Sequence, residues 1–352
     1  MVEGALVPGD VELDGDRIAR VGIRGTGGTG IAAPGFVDLH VHGFGGVDFA
    51  VADTDAYRRA GEALLESGVT AFRPSFLTAP EEELAAALRA VPGGDVGPRI
   101  LGCHLEGPFL SPERLGMHSA AARRDPDVAL LERLFAAGPV AHMTLAPELP
   151  GALEIVAALV ARGATAACGH TDATAEEARA AFAAGATHVT HLFNAMRPFT
   201  HRDPGIAGAT LAHDSVTFEL ILDGHHVADE AVRVAWRAGA GRVALVTDAI
   251  GATGDGPWRV GGVEVDVRDG EVRGRGGELA GSVLTLPRAI RALMSAGGAS
   301  FAEAVEAASR VPARVARRDD LGALRPGSLA DVVVLDEDVT VRRVLVGGRD
   351  RL

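Results

Sequence analysis

The stretch PGFVDLHVHG, residues 34–43, closes an apolar run with two histidines two positions apart. In an extended strand, side chains at i and i+2 share a face. His40 and His42 therefore point the same way, where Gly43 ends the strand. Two neutral imidazoles on one face suit a metal ion, and they equally suit a hydrogen-bonded pair inside a core. The choice depends on what the rest of the chain places beside them.

Outward from residue 35, one rhythm repeats. A short β-branched run ends in polar residues, a loop follows, and an Ala/Leu/Glu/Arg helix closes on glycine. Strands are expected at 36–41, 69–73, 99–105, 140–145, 164–169, 187–191, 216–222 and 243–248. Helices are expected at 54–66, 81–91, 126–137, 151–162, 174–184, 229–239, 286–296 and 300–309. Junctions such as EALLESGVT and AFAAGATHVT read as a helix ending on glycine and feeding the next strand. Eight such units over about 280 residues match a (β/α)8 barrel, which takes roughly 250. A doubly wound open sheet is the competing fold, but no Gly-rich nucleotide turn follows a strand. The barrel is expected over residues 34–320. Residues 1–33 and 321–352 alternate like antiparallel strands and are expected to pair into a small β-sandwich. WRVGGVEVDVRDGEVR, 258–273, reads as a hairpin inserted after the eighth strand.

Composition narrows the function. The 352 residues carry a net charge of −13 and no dense basic cluster, which disfavours nucleic acid as a partner. The apolar runs are short and interrupted, so no membrane span is expected. The acidic N-terminus does not read as a signal peptide, and the two cysteines, Cys103 and Cys168, make no disulfide framework. The expected compartment is the cytoplasm. All 34 basic residues are arginine. That excludes a Schiff-base lysine, a phosphate loop ending in Gly-Lys-Ser/Thr and a carbamylated lysine between two metals.

A barrel enzyme carries its chemistry at the C-terminal ends of its strands. Those ends are where the polar residues fall: His40 and His42 on the first strand, His104 and Glu106 on the third, His170 on the fifth, His191 on the sixth, His225 and His226 after the seventh, and Asp248 on the eighth. Each has a plain alternative: a rim ion pair for Glu106, a turn for His170, a helix cap for Asp248, a structural place in the strand for His188. The coincidence at one mouth favours a metal site. Glu106, His170 and His191 suit Zn or Fe with a position open for water. His40 and His42 could complete a second site, with Glu106 bridging. Such an ion lowers the pKa of its water from about 15.7 to about 7, and Asp248 is placed to take that proton and later return it. Cys168 shares parity with His170 and reads as a buried, inert thiol.

HLEGPFL (104–110), GMH (116–118), TLAPE (144–148), GHTDAT (169–174), THLFNAM (190–196), HRDPG (201–205), LDGHHV (222–227), VTDA (246–249) and LAGS (279–282) occur in this order. Together they resemble the N-acetylglucosamine-6-phosphate deacetylase family of the amidohydrolase superfamily, from about Pro34 to GSLADVVVLD near the C-terminus. The resemblance implies hydrolysis of the acetamide of N-acetyl-D-glucosamine 6-phosphate by metal-bound hydroxide. Glu106, His170 and His191 would hold the principal metal, one ion with a second allowed, and Asp248 would be general base and then acid. His118 would touch the sugar. Asn194 and Ala195 would meet the phosphate. Arg202 and His226 would reach the phosphate of the neighbouring subunit, implying a homodimer. Leu279 would line the acetyl pocket. Arg73 stands where the family usually has a neutral residue; it is either outward-facing or a contact to an anionic substrate. The rival readings are a deacetylase for the galactosamine isomer, another amidohydrolase, or a non-catalytic sugar-phosphate-binding protein.

Overall fold

The computed structural model describes residues 4–23 and 29–352. Eight parallel strands form a barrel: β1 (Phe36–Val41), β2 (Val69–Leu77), β3 (Cys103–Glu106), β4 (Val140–Leu145), β5 (Thr165–Cys168), β6 (His188–Val189), β7 (Thr217–Leu220) and β8 (Val243–Leu245). Each pairs with its sequence neighbours from β1 to β8. The seam between β8 and β1 is closed just beyond the strand ends. Asp248 N–H donates to the His40 carbonyl at 2.9 Å and His42 N–H to the Ala249 carbonyl at 2.8 Å. Inside the seam, the Thr247 hydroxyl donates to Asp38 at 2.7 Å.

A helix follows every strand: α1 (Thr54–Glu66), α2 (Glu81–Ala90), α3 (Val128–Ala137), α4 (Ala152–Ala161), α5 (Ala175–Ala184), α6 (Gly205–Leu211), α7 (Asp229–Gly239) and α8 (Leu286–Ala292). Their boundaries follow local chemistry. Asp53 caps α1 through the Ala56 N–H, and Thr174 with Glu177 makes a reciprocal capping box on α5. Gly185 ends α5 at φ 112°, a left-handed conformation a side chain would strain. The buried face of α1 (Ala56, Tyr57, Ala60, Gly61, Leu64 and Leu65) follows the helical repeat. Each fully buried leucine of this kind contributes roughly 1.5–3 kcal/mol.

Gly43 lets the chain leave β1 at the mouth. A Cβ there would lie 2.2 Å from the Val47 carbonyl oxygen, so only glycine fits the approach of the two backbones. This turn carries His42 to the rim.

The chain ends meet beside the barrel. Ile31–Pro34, Val332–Leu335, Val341–Val346 and Arg349–Asp350 form a four-stranded antiparallel sheet. A two-stranded ribbon, Asp10–Asp14 with Arg17–Ile23, shares a small apolar core with it that includes Ile18, Leu324, Val332 and Leu345. The expected strands of 1–33 fall partly on residues 1–3 and 24–28, outside the described residues. After β8, Gly256–Val260, Val263–Arg268 and Glu271–Gly274 make a three-stranded meander where a hairpin is expected.

Three local features differ from the sequence reading. β2 runs on through Pro74 to Leu77, because pairing with β1 on one side and β3 on the other outweighs the proline's strand-breaking tendency. The sixth helix is the short, Gly/Ala-rich α6, whose pattern carries no amphipathic signal. Arg73 neither faces solvent nor lines the cavity at the barrel mouth: it is buried, and its Nε donates to the Leu101 carbonyl at 3.1 Å. Burial pushes its guanidinium down to about 10. No helix among the described residues is long and apolar enough to cross a membrane.

Candidate metal centre and active-site cavity

The polar strand ends converge. Glu106, at the end of β3, extends its two carboxylate oxygens in two directions. Oε1 lies 3.1 Å from His170 Nε2 and 3.0 Å from His191 Nε2. Oε2 lies 3.2 Å from His42 Nε2, 3.3 Å from His118 Nε2 and 3.6 Å from His40 Nε2. Asp248 Oδ1 completes the far side, 3.3 Å from His40 Nε2 and 3.2 Å from His42 Nε2. Two sets of potential ligands result, Glu106/His170/His191 and His40/His42/Asp248. All six side chains are buried.

The fit to a divalent ion rests on where the other ring nitrogens go. His40 Nδ1 meets Glu219 at 3.1 Å, His42 Nδ1 the Ser75 carbonyl at 3.2 Å, and His170 Nδ1 the Arg114 carbonyl at 2.8 Å. These partners only accept, so each Nδ1 carries a hydrogen. In the neutral ring each Nε2 then presents a lone pair to the centre, the arrangement a ligating histidine requires.

Charge points the same way. Burial alone would raise the Glu106 carboxyl, but His40, His118 and His170 hold it well below the usual range. Burial would likewise raise Asp248, and the facing His40 and His42 hold it down. Reciprocally, burial is outweighed at His42, which the two carboxylates push up to about 9. The cluster thus demands positive charge at its centre. Protons supply it in the metal-free chain, and a divalent ion would supply it in their place.

His118 differs from its neighbours. Its Nδ1 accepts the Thr78 backbone N–H at 3.2 Å, which leaves the hydrogen on Nε2, 3.3 Å from Glu106 Oε2. Burial, reinforced by nearby His170, pushes it down to about 4. It is therefore a neutral N–H donor at neutral pH rather than a ligand.

These residues open into a cavity of about 340 Å3. Asn194, Ala195, His226 and Leu279, expected at the substrate, all line it. The Asn194 amide nitrogen turns back onto the His191 and Leu192 carbonyls at 3.3 Å each. His226 lines this chain's own cavity and pairs with Asp223 at 2.7 Å. Arg202 is exposed and outside the lining. Cys168 is buried and free, its thiol pushed by burial up to about 12, which makes it inert. A larger groove of about 590 Å3 lies on the outer face of the meander, but its polar lining is exposed Arg and Glu rather than a converging buried set.

The geometry also shows what the sequence reading missed. Glu148, in TLAPE, accepts from the Thr171 hydroxyl at 2.5 Å and the Asp172 N–H at 2.7 Å, holding the loop that presents His170. Asp172 in turn joins Arg114 and Arg197. Ser75 accepts the Val41 N–H at 3.0 Å between the two strand-one histidines. Glu219 is an inward carboxylate in the apolar run VTFELIL; a lone acid in such a strand is the signal that could have found it.

Comparison with known proteins places the chain in a family. A model of the amidohydrolase family matches residues 31–350, so the chain belongs to the amidohydrolase family. Within it, the chain falls with the N-acetylglucosamine-6-phosphate deacetylases. It is 38% identical over 325 residues to the Vibrio furnissii enzyme of that name, covering 90% of this chain and 82% of the relative. It is 36% identical over 328 residues to an N-acetylgalactosamine-6-phosphate deacetylase of Escherichia coli O157:H7, covering 91% and 87%. Among solved structures, a point mutant of the Mycobacterium smegmatis N-acetyl-D-glucosamine-6-phosphate deacetylase, in complex with N-acetyl-D-glucosamine 6-phosphate, superposes with a TM-score of 0.91 at 38% identity, covering 97% of this chain and 94% of that one.

Proposed function

We propose that the chain hydrolyses the acetamide of N-acetyl-D-glucosamine 6-phosphate to glucosamine 6-phosphate and acetate. The observation that carries the reading is the convergence of Glu106, His170 and His191 beside Asp248, with His118 lining the same cavity. Glu106, His170 and His191 would hold one divalent ion, and His40 and His42 offer ligands for a second across Glu106. The buried nitrogen-and-oxygen donor set suits zinc or iron(II). Such an ion supplies Lewis acidity and makes water a nucleophile at neutral pH.

The chain's own groups do the rest. Asp248, ionised at neutral pH, accepts the proton of the attacking water and delivers it to the amide nitrogen as the C–N bond breaks. His118 Nε2–H donates to the carbonyl oxygen, where negative charge develops. Among the lining residues, apolar Leu279 and Ile221 would suit the acetyl methyl, and Asn194, Ala195 and His226 would suit the phosphate. Arg202, exposed outside this chain's cavity, suits a place at the phosphate of a second copy in a homodimer. The free, buried cysteines accord with a cytoplasmic setting.

The galactosamine isomer is the second reading, favoured by the E. coli relative. Elemental analysis together with acetate release from both phosphorylated N-acetylhexosamines and from unphosphorylated N-acetylglucosamine tests the proposal. We expect bound divalent metal and fastest release from N-acetylglucosamine 6-phosphate. Preference for the galactosamine compound would move the chain to its isomer. Failure of the metal-loaded protein to release acetate from any of them would end the deacetylase reading.

A further inference from the structure

One buried carboxylate serves both ligand sets. Glu219, on β7, is fully buried beneath the centre. Its Oε2 accepts from His40 Nδ1 at 3.1 Å and from the backbone N–H of His191 at 3.1 Å. Its Oε1 lies 3.2 Å from His188 Nε2, and its backbone carbonyl accepts the Leu192 N–H at 3.0 Å. His40 belongs to one set and His191 to the other. His191 stands at φ 27°, a conformation a β-carbon disfavours, so its backbone needs an outside hold.

Glu219 also falls within a third group of potential ligands, with His142 and His188. That group does not make an ion site. Its carboxylate is already committed to His40, His188 and His191, and the buried Arg73 cation is near enough to disfavour charge on His142. The group is the floor on which the mouth is built.

We infer that Glu219 is a positioning residue for the metal centre: it fixes the tautomer and aim of His40 and the backbone of His191, so that one side chain sets the geometry of a ligand from each set. This rests on the metal-site reading above. An acceptor of this kind behind a ligand is worth about 10- to 100-fold in metal affinity. Glutamine keeps the size but loses the charge and one acceptor oxygen. Aspartate keeps the charge but loses reach.

The experiment is zinc affinity by competition with a chromogenic chelator, on the full chain after metal removal, for wild type, E219Q, E219D and His142→Leu. His142 lies in the same buried layer but makes no hydrogen bond of its own, so it controls for general damage to the core. We expect E219Q and E219D to bind zinc about 10- to 100-fold more weakly and His142→Leu to bind as wild type does. E219D, with its charge kept, carries the test if E219Q does not fold. Wild-type affinity in the folded Glu219 variants would overturn the inference, as would an equal loss in His142→Leu. Failure of the wild type itself to bind zinc would instead overturn the metal-site reading on which it rests.

Discussion

At the mouth of the barrel, His40, His42 and His170 have one ring nitrogen tied to an acceptor and the other beside the Glu106 carboxylate. One pleat below, the histidines are disposed differently. His104 is held on both nitrogens, by the Ser75 hydroxyl at 2.9 Å and the Thr144 hydroxyl at 2.8 Å. His142 stacks on it at 4.3 Å with neither nitrogen bonded. Both layers are buried, so burial does not separate function from packing here. The destination of the second nitrogen does. The mouth gathers imidazoles around two carboxylates that require a cation, whereas His104 and His142 below stay neutral: burial holds both well below the ordinary histidine range.

The sharpest way to break this contrast is to remove chemistry from the mouth while leaving its shape. D248N keeps the size and position of the side chain but cannot accept a proton. Turnover should fall by about 10²- to 10⁴-fold while the metal held by Glu106, His170 and His191 remains. Steady-state kinetics with elemental analysis measure both. Turnover near that of wild type would take Asp248 out of the mechanism.

A smaller effect is expected at His118. Replacing it with phenylalanine removes the N–H but keeps a ring, and should lower kcat by about 10²-fold with little change in metal content. Its own ionisation, at about 4, leaves it a neutral donor at every higher pH. The wild-type kcat profile between pH 5 and 8 should therefore carry no inflection that disappears in H118F. Such an inflection would show that His118 works as an acid rather than as a fixed donor.

The mouth was legible in the sequence but the layer beneath it was not: His104, expected at the mouth, is held below it by Ser75 and Thr144. HLEGPFL, GHTDAT, THLFNAM and VTDA place ligands at strand ends, and strand ends in a barrel share one rim. The alternating apolar and helical segments gave the eightfold repeat. What a one-dimensional pattern cannot specify is depth. Arg73 has the parity of Ser75 and so shares its inward face, but sequence does not show that the segment sits low in the barrel, outside the lining of the mouth cavity. Glu219 is a lone acid in an apolar strand, and its role is hidden from the sequence because its three partners come from β1, β6 and the loop after β6. α6 was silent because GIAGATL is stabilised by close packing of small residues rather than by an amphipathic stripe, with Ile206, Ala207 and Ala209 all buried.

The smallest effect tests the lower layer alone. His142 is neutral in the fold because burial, helped by Arg73, disfavours its charged form. In the unfolded chain it ionises near 6.5. As pH falls below that value the unfolded state takes up a proton that the folded state refuses, so stability is complete above about 6.5 and is lost toward the lower folded value. His142→Leu removes that proton from the balance. With both proteins stripped of metal, the variant's unfolding free energy should fall less steeply between about pH 6 and 5, by up to about 1.4 kcal/mol per pH unit. Denaturant unfolding across that range measures the slope. Parallel slopes would mean that His142 ionises in the fold as it does in the open chain. The lower layer would then share the mouth's appetite for charge, and the division between the two layers would fail.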